Sequence, residues 1–299
     1  MAFRFWRRRR EGAETAHRHP DDHSHGHEHT HRHNGHAGPL AEEAGISRTS
    51  QAVALTRARM ERPHSPDGDS NAQARLCEGM RPTPGTRLRP MLTARTMFFD
   101  GAVLTAIAGG VRQIVVCGAG YDDRALRFRT PRVRFFELDQ GPTQEDKARR
   151  LQALNTDLSG LTLATADFRH DDVAAVLAGH GHDAGQPTLF LCEGVLIYLD
   201  PDTAASFLSQ LAAVSGPGNR LAASLAVHEE GLPTERVVAA ANARRRAGET
   251  EPWRTILPQR AHLTLLQRAG WHAERTFDAA DLEETAMPGR TLLVRADLG

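Results

Sequence analysis

Lysine is almost absent from this chain of 299 residues: Lys147 is the only one, and the rest of its 37 basic side chains are arginine. Together with the many alanines, that skew marks a GC-rich coding bias and carries no function. Neither sign of charge is in excess. The 37 acidic residues offset the 37 basic ones, so no global field draws in nucleic acid or an anionic membrane, which argues against a general binder of either. Cysteine is scarce, and Cys77, Cys117 and Cys192 lie far apart without metal-type spacing. Two of them sit inside apolar runs, where a small buried thiol is expected, and a reducing cytoplasm fits. Long apolar runs are missing too: no stretch approaches the roughly 20 residues that cross a bilayer. The arginines at 7–10 lead into histidines instead of an apolar segment, so neither a Sec nor a twin-arginine signal is expected.

What is there is ordinary globular composition, 40% apolar and 25% charged, enough to build a sizeable core. The length is nominally two domains at about 150 residues each, yet one large α/β domain is equally compatible. Residues 1–45 lack periodic apolar patterning and are expected to be a disordered Arg/His-rich tail. Nine of the 16 histidines fall between His17 and His36, and six of them, from His23 to His33, alternate with other residues. Such a tract can chelate a divalent metal through neutral imidazoles, or be a solvated arm with no metal role. No metal centre is expected in the folded part.

The domain is expected over residues 46–299, with a helical cap at 46–110 and a core at 111–299. In the cap, "SRTSQAVALTRARM" has loosely helical spacing, loops flank the segment near Leu76, and Met91 to Ala108 reads as a helix stopped by Gly109 and Gly110. From Arg112 onward, apolar runs alternate with helical patterns: "QIVVCG", "VRFFELD", "LTLATAD", "PTLFLCEG" and "NRLAASLAV" read as strands with helices between them. That alternation predicts a three-layer, Rossmann-like α/β fold with a mostly parallel sheet. "WHAERTF" and "TLLVRADLG" close it as an antiparallel hairpin. The Arg244–Arg246 run is expected on a solvated face.

The sharpest signal is the first βα turn, where "QIVVC" runs into Gly118-Ala119-Gly120 and glycine admits a ligand close to the backbone. The next strand ends "FFELD", which places Glu137 or Asp139 where an acid grips ribose hydroxyls. An adenosine-type ligand follows. A dinucleotide would set its pyrophosphate on the following helix, but Asp122 and Asp123 occupy that site. Unit charges about 4 Å apart at an effective dielectric near 20 repel by about 4 kcal/mol. S-adenosylmethionine carries no phosphate, so it suits an acidic turn provided that Arg95 or Arg124 meets its carboxylate. Asp122 is open to a second role as a helix N-cap.

In order, "SRTSQAVALTRA", "ARTMFFD", "QIVVCGAGYDDRALRF", "FFELDQ" with Lys147, "ADFR" and "LCEGVLIYLDP" resemble the motifs of the leucine carboxyl methyltransferase-like family. That family is a branch of class I S-adenosylmethionine-dependent methyltransferases and includes bacterial polyketide O-methyltransferases. The resemblance runs from about Gly45 to Gly299 and implies a seven-stranded sheet whose last strand is antiparallel. It implies that Arg95 binds the methionine carboxylate, Gly118 and Gly120 pass under the methionine moiety, and Asp139 holds the ribose. It further implies that Asp167 and Phe168 hold and cover the adenine, that Glu193 contacts the ammonium side, and that Tyr198 sits at the substrate mouth. Three departures stand out: Tyr121 after the GAG turn, Asp123 where Thr or Ser is usual, and no "DPLA" pattern before Arg95.

Bland roles remain open at several of these positions. Glu193 ends a buried strand and needs a partner, ligand or structural arginine. Tyr198 fits a core aromatic, and His228 fits an ordinary surface histidine as well as a base. Methyl transfer from a sulfonium is an in-line displacement, so alignment carries it. A carboxylate acceptor, with a pKa near 4, is already ionised at pH 7 and needs no base. A phenol or enol acceptor would use one, with Tyr198 or His228 as candidates. The expected activity is therefore O-methylation of a small carboxylic or phenolic metabolite. The alternative is a non-catalytic scaffold of the same fold with a metal-binding arm; a nicotinamide-dependent oxidoreductase ranks below both because of Asp122 and Asp123.

Overall fold

Runs of five apolar or β-branched residues make the central strands. In the computed structural model Gln113–Cys117 forms β1 and Thr188–Cys192 forms β4, both buried at every position. Residues 45–81, 89–214, 216, 218–244, 251–278 and 290–299 are described, the side chains of 89–91 and 290 excepted. The His-rich tract and Arg245–Arg246 lie outside them.

In chain order the elements are α1 (Arg48–Arg57), α2 (Ala72–Leu76), α3 (Arg89–Ala108), β1, α4 (Arg124–Arg127), β2 (Arg134–Asp139), α5 (Gly141–Ala153) and β3 (Leu161–Thr165). They continue with α6 (Val173–Gly179), β4, a 3-10 turn (Leu196–Tyr198), α7 (Pro201–Ala213), β5 (Arg220–His228), α8 (Thr234–Ala243), β6 (Leu257–Pro258), α9 (Gln259–Arg268), β7 (Trp271–Asp278) and β8 (Arg290–Leu298). The sheet order is β3-β2-β1-β4-β5-β8-β7, and β8 runs antiparallel to both of its neighbours. This is the expected mostly parallel sheet with a C-terminal hairpin. One feature differs: the two-residue β6 pairs with the far end of β5, giving eight strands where seven were expected.

Alternation along each strand sends side chains to two opposite cores. Val115, Cys117, Phe136, Leu138, Phe190 and Cys192 pack with Val173, Leu177, Phe207, Leu208 and Leu266 from α6, α7 and α9. Ile114, Val116, Phe135, Leu189 and Leu191 pack on the opposite face with Phe98, Phe99, Ala102 and Val103 from α3. Three layers result. Helix starts are fixed by side chains: Ser47, Asp172 and Asp200 accept the N–H of Ser50, Ala175 and Thr203, and Pro201 sits in the first turn of α7. Helix α4 is a single turn, and its arginines together with Asp122 and Asp123 before it enter a buried ionic network. No described helix is long and apolar enough to cross a membrane.

Candidate functional site

The turn after β1 is built from backbone geometry that glycine adopts readily. Gly118 and Gly120 have φ of +63° and +51°, in the left-handed region. The Gly120 N–H donates to Asp139 Oδ2 at 2.5 Å, and Gln140 N–H donates to Asp139 Oδ1 at 2.7 Å. Burial pushes the Asp139 carboxyl up, against the pull of those two N–H groups. Since an ionised carboxylate offers about four acceptor positions, two remain. Glu137 and Asp139 differ in depth. Glu137 is fully buried and paired with Lys147, whose ammonium also donates to the Asp122 carbonyl at 2.7 Å. Desolvation outweighs Lys147 and lifts Glu137 to about 7.

Two residues roof the turn. A Cβ on Gly118 would lie 2.4 Å from Val195 Cγ2, and one on Gly120 would lie 2.7 Å from Ser50 Cβ. Helix α1 therefore packs directly on Gly120, and the segment after β4 on Gly118. Tyr121, the departure from the family pattern, is buried with its hydroxyl donating to Asp146 at 2.5 Å.

Asp122 and Asp123 do not present bare charge to a ligand on the turn, contrary to the electrostatic argument from sequence. Both are buried among arginines. Asp122 Oδ2 lies 2.5 Å from Arg124 and 3.3 Å from Arg57, while its Oδ1 accepts the Arg124 N–H. Asp123 occupies the N-cap position of α4 without capping it, and instead meets Arg62 at 2.8 Å and Arg127 at 2.9 Å. Asp100, from the middle of α3, takes Arg62, Arg124 and Arg127 at 2.8–3.0 Å, which hold its carboxyl well below the usual range against desolvation.

Glu193, at the end of β4, has three guanidinium partners: Arg57 at 2.5 Å, Arg124 at 2.9 Å and Arg95 at 3.0 Å. Burial works against ionisation there, yet the three cations hold the carboxyl far below its ordinary value. Arg95 spends only its Nε on Glu193. Its Nη groups flank Gly194 and have no hydrogen-bond partner among the described residues. Tyr198 shares this neighbourhood, beside Thr49 and Trp253 and with Arg95 and Glu251 as charged neighbours. Burial and the Glu251 charge push its phenol up. Trp253 is itself clamped, because both side-chain ends of Asn242 bond to its backbone at 2.8–2.9 Å.

Of the other expected residues, Asp167 and Phe168 follow β3 beside the end of β2, and His228 lies further along β5. Asp167 follows β3 and is tied to Arg169 at 2.8 Å and His170 at 3.1 Å, with Arg169 holding its carboxyl below the usual range. Phe168 stacks on Phe207 with ring centroids 4.5 Å apart. His228 lies five residues beyond Ala223, the register partner of Cys192, about 16 Å along the strand at roughly 3.3 Å per residue. Both of its ring nitrogens are engaged, with the Glu229 carbonyl and the Thr234 hydroxyl. Among the described residues no three His, Cys, Asp or Glu side chains gather as a metal site.

Sequence reasoning missed Arg57, Arg62, Asp100 and Trp253. A signal existed for two of them: Asp100 interrupts an apolar helix after "MFF", and Arg57 falls on the inward side of α1.

The sequence model of the leucine carboxyl methyltransferase family matches residues 36–212, more than half of the chain. The chain belongs to the leucine carboxyl methyltransferase family. This family member is 34% identical over 204 residues to a Frankia alni protein named "Putative S-adenosyl-L-methionine-dependent methyltransferase", covering 68% of each chain. It is 32% identical over 184 residues to a Mycobacterium tuberculosis protein of the same name, covering 60% of this chain and 59% of that one. In fold it is similar to a Thermobifida fusca protein whose crystal structure is titled as that of a putative methyltransferase. The TM-score is 0.53 at 16% identity, over 87% of this chain and 99% of that one. In this methyltransferase-family chain the order β3-β2-β1-β4-β5-β8-β7 sets the ends of β1, β2 and β4 side by side, which brings Gly118, Asp139 and Glu193 to one rim.

Proposed function

We infer that this chain is an O-methyltransferase that esterifies the carboxylate of a small metabolite. As a member of its family it is an S-adenosylmethionine-dependent methyltransferase; the acceptor and the residue roles are this reading's own. The donor set fits that cofactor. The unspent Nη groups of Arg95 would take the methionine carboxylate, and the two open acceptor positions of Asp139 would take the ribose hydroxyls. Gly118 and Gly120 would pass beneath the methionine moiety, Glu193 would face the ammonium side, and Asp167 with Phe168 would border the adenine. Asp122 serves the network instead of the ligand. Bound there, S-adenosylmethionine supplies an electrophilic methyl group on a sulfonium sulfur.

The observation that carries the choice of acceptor is the charge state of the site. Around Arg95 the Glu193 carboxylate is locked by guanidiniums, and Tyr198, a phenol that ordinarily keeps its proton at neutral pH, is pushed further up by burial. A phenol or enol acceptor needs a group that accepts its proton, worth about 10²–10⁴-fold. Tyr198 is poorly suited to that task, and both nitrogens of His228 are spent elsewhere. A carboxylate arrives deprotonated. The residues then need only align it, and alignment supplies about 7–11 kcal/mol. Tyr198, beside Thr49 and Trp253, is a positioning group at the mouth in this reading.

Methyl-labelled S-adenosylmethionine, offered with a panel of small carboxylic acids and a matched panel of phenols, tests it. Labelled product that releases volatile methanol in mild alkali is an ester and supports the reading. Alkali-stable label, the mark of an ether, would overturn it.

A further inference from the structure

Nine charged side chains meet beneath the glycine turn, and their pairing divides them into two groups. Arg62 and Arg127 face Asp100 and Asp123, with Arg62 forked on Asp100 at 3.0 Å through both Nε and Nη2. That group is two guanidiniums against two carboxylates and is neutral. Arg57, Arg95 and Arg124 face Asp122 and Glu193, three guanidiniums against two carboxylates, an excess of one positive charge. Arg124 joins the groups through Asp100. The excess is not spread evenly. Arg57 and Arg124 have side-chain exposures of 6% and 0% with both ends of their forks engaged, whereas Arg95 stands at 15% with its Nη groups unspent.

Arg57 decides where that excess lies. From the last turn of α1 its Nη2 reaches Glu193 Oε1 and its Nη1 reaches Asp122, while its Nε is aimed at Thr96. Glu193 Oε1 is thus shared between Arg57 and the Nε of Arg95. With Arg57 in place one nitrogen of Arg95 suffices for Glu193. Without it, Arg95 would be drawn to fork on the carboxylate, as Arg62 does on Asp100, and its Nη groups would be consumed. A lysine is a poor replacement for this bridge, because its donors share one nitrogen and it lacks the planar fork whose two separate nitrogens reach Asp122 and Glu193.

We propose that Arg57 is a positioning residue of the cofactor site: by saturating Glu193 from the N-terminal helix it keeps the Nη groups of Arg95 free for the carboxylate of S-adenosylmethionine. This rests on the cofactor assignment above. The same contact welds α1 to the rim where Ser50 covers Gly120, so the N-terminal helix is part of the binding site as well as its cover.

The test is calorimetric titration of S-adenosylmethionine into the full chain and into Arg57→Lys, Arg57→Met and Arg62→Lys, with thermal midpoints measured alongside. Wild type binds. Arg57→Lys is expected to bind about 10-fold more weakly and Arg57→Met more weakly still, since each frees Arg95 to collapse onto Glu193. Arg62→Lys, in the neutral group, lowers the midpoint at least as far yet binds within about threefold of wild type. In turnover assays the Arg57→Lys loss falls on KM for the cofactor and leaves kcat nearly unchanged. Wild-type affinity in Arg57→Lys, or an equal loss in Arg62→Lys, overturns the proposal while the cofactor assignment stands. Failure of the wild-type chain to bind overturns both. If Arg57→Met does not fold, Arg57→Lys against Arg62→Lys decides alone.

Discussion

The carboxylate of Asp139 accepts the backbone N–H of Gly120 at 2.5 Å, so the acid that ends β2 is bonded to the glycine turn that follows β1. Two adjacent parallel strands thereby deliver a carboxylate and an open backbone to one point, and the carboxylate has acceptor capacity left over. Asp139→Asn keeps an oxygen for Gly120 but loses the charge and part of that capacity. Its affinity for S-adenosylmethionine is expected to fall by about 10-fold or more, while stability changes by about 1 kcal/mol. Calorimetric titration with a urea melt on the same preparation checks both, and unchanged affinity would remove Asp139 from the site.

The glycines carry a separate prediction. Alanine at 120 meets Ser50 Cβ at 2.7 Å and must hold a left-handed φ, which costs about 1–2 kcal/mol for a residue with a Cβ. Gly120→Ala is expected to lose more than that, because the clash adds to the strain. Adding Ser50→Gly should recover the steric part and leave the conformational part. A double-mutant cycle by urea denaturation separates them, and a coupling energy near zero would mean that α1 does not press on the turn.

Strand alternation was legible in the sequence because buried five-residue runs such as "QIVVC" and "TLFLC" have no other stable placement in an α/β chain. The glycine turn and the acid after β2 were legible for a related reason: their roles follow from spacing along two consecutive strands. The ionic network was not. Arg57, Arg62, Asp100 and Asp123 come from segments up to 66 residues apart, and no local period marks residues that meet only after folding. That is why Asp122 and Asp123 looked like a bare acidic turn when their charges are in fact spent on arginines. Glu193 was read with its need for a partner, and it finds three.

Breaking that network from the acid side is expected to be expensive. Glu193→Gln leaves Arg57 and Arg124 buried with one carboxylate fewer, and losing one member of a buried ion pair costs about 3–5 kcal/mol. Urea denaturation measures it. A loss below about 1 kcal/mol would show that water reaches the cluster and screens it.

Three buried carboxyls pull the pH dependence of stability in opposite directions, two one way and one the other. Asp100 and Glu193 have folded-state pKa values depressed below the unfolded ones, so their contribution is present above about pH 4 and is lost as the pH falls further. Glu137, raised to about 7, behaves inversely: its contribution is complete below about pH 4 and is lost as the pH rises through 7. Stability is therefore expected to fall from pH 5.5 to pH 8. Replacing the pair together, as Glu137→Leu with Lys147→Met, should remove that decline and cost little, since exchanging a whole buried ion pair for apolar side chains is often neutral or stabilising. Urea midpoints at half-unit pH steps for both proteins decide it, and a decline that persists in the double variant assigns it to another group.

Tyr198 separates alignment from proton transfer. A phenol with a pKa near 10 holds its proton at pH 7 and gives an acceptor nothing to ionise it with, and burial and the nearby Glu251 charge push Tyr198 further up. Phenylalanine at this position removes the hydroxyl beside Thr49 and Trp253 and leaves the ring in place. If the acceptor is a carboxylate, Tyr198→Phe should keep kcat within about threefold and leave kcat flat between about pH 6 and 9, because no protonation step enters the reaction. The cost should appear instead as a raised KM for the acceptor, with stability changed by no more than about 1 kcal/mol. A fall in kcat of about 10²-fold or more, with an alkaline limb that disappears in the variant, would make Tyr198 a base and turn the assignment toward a hydroxyl acceptor.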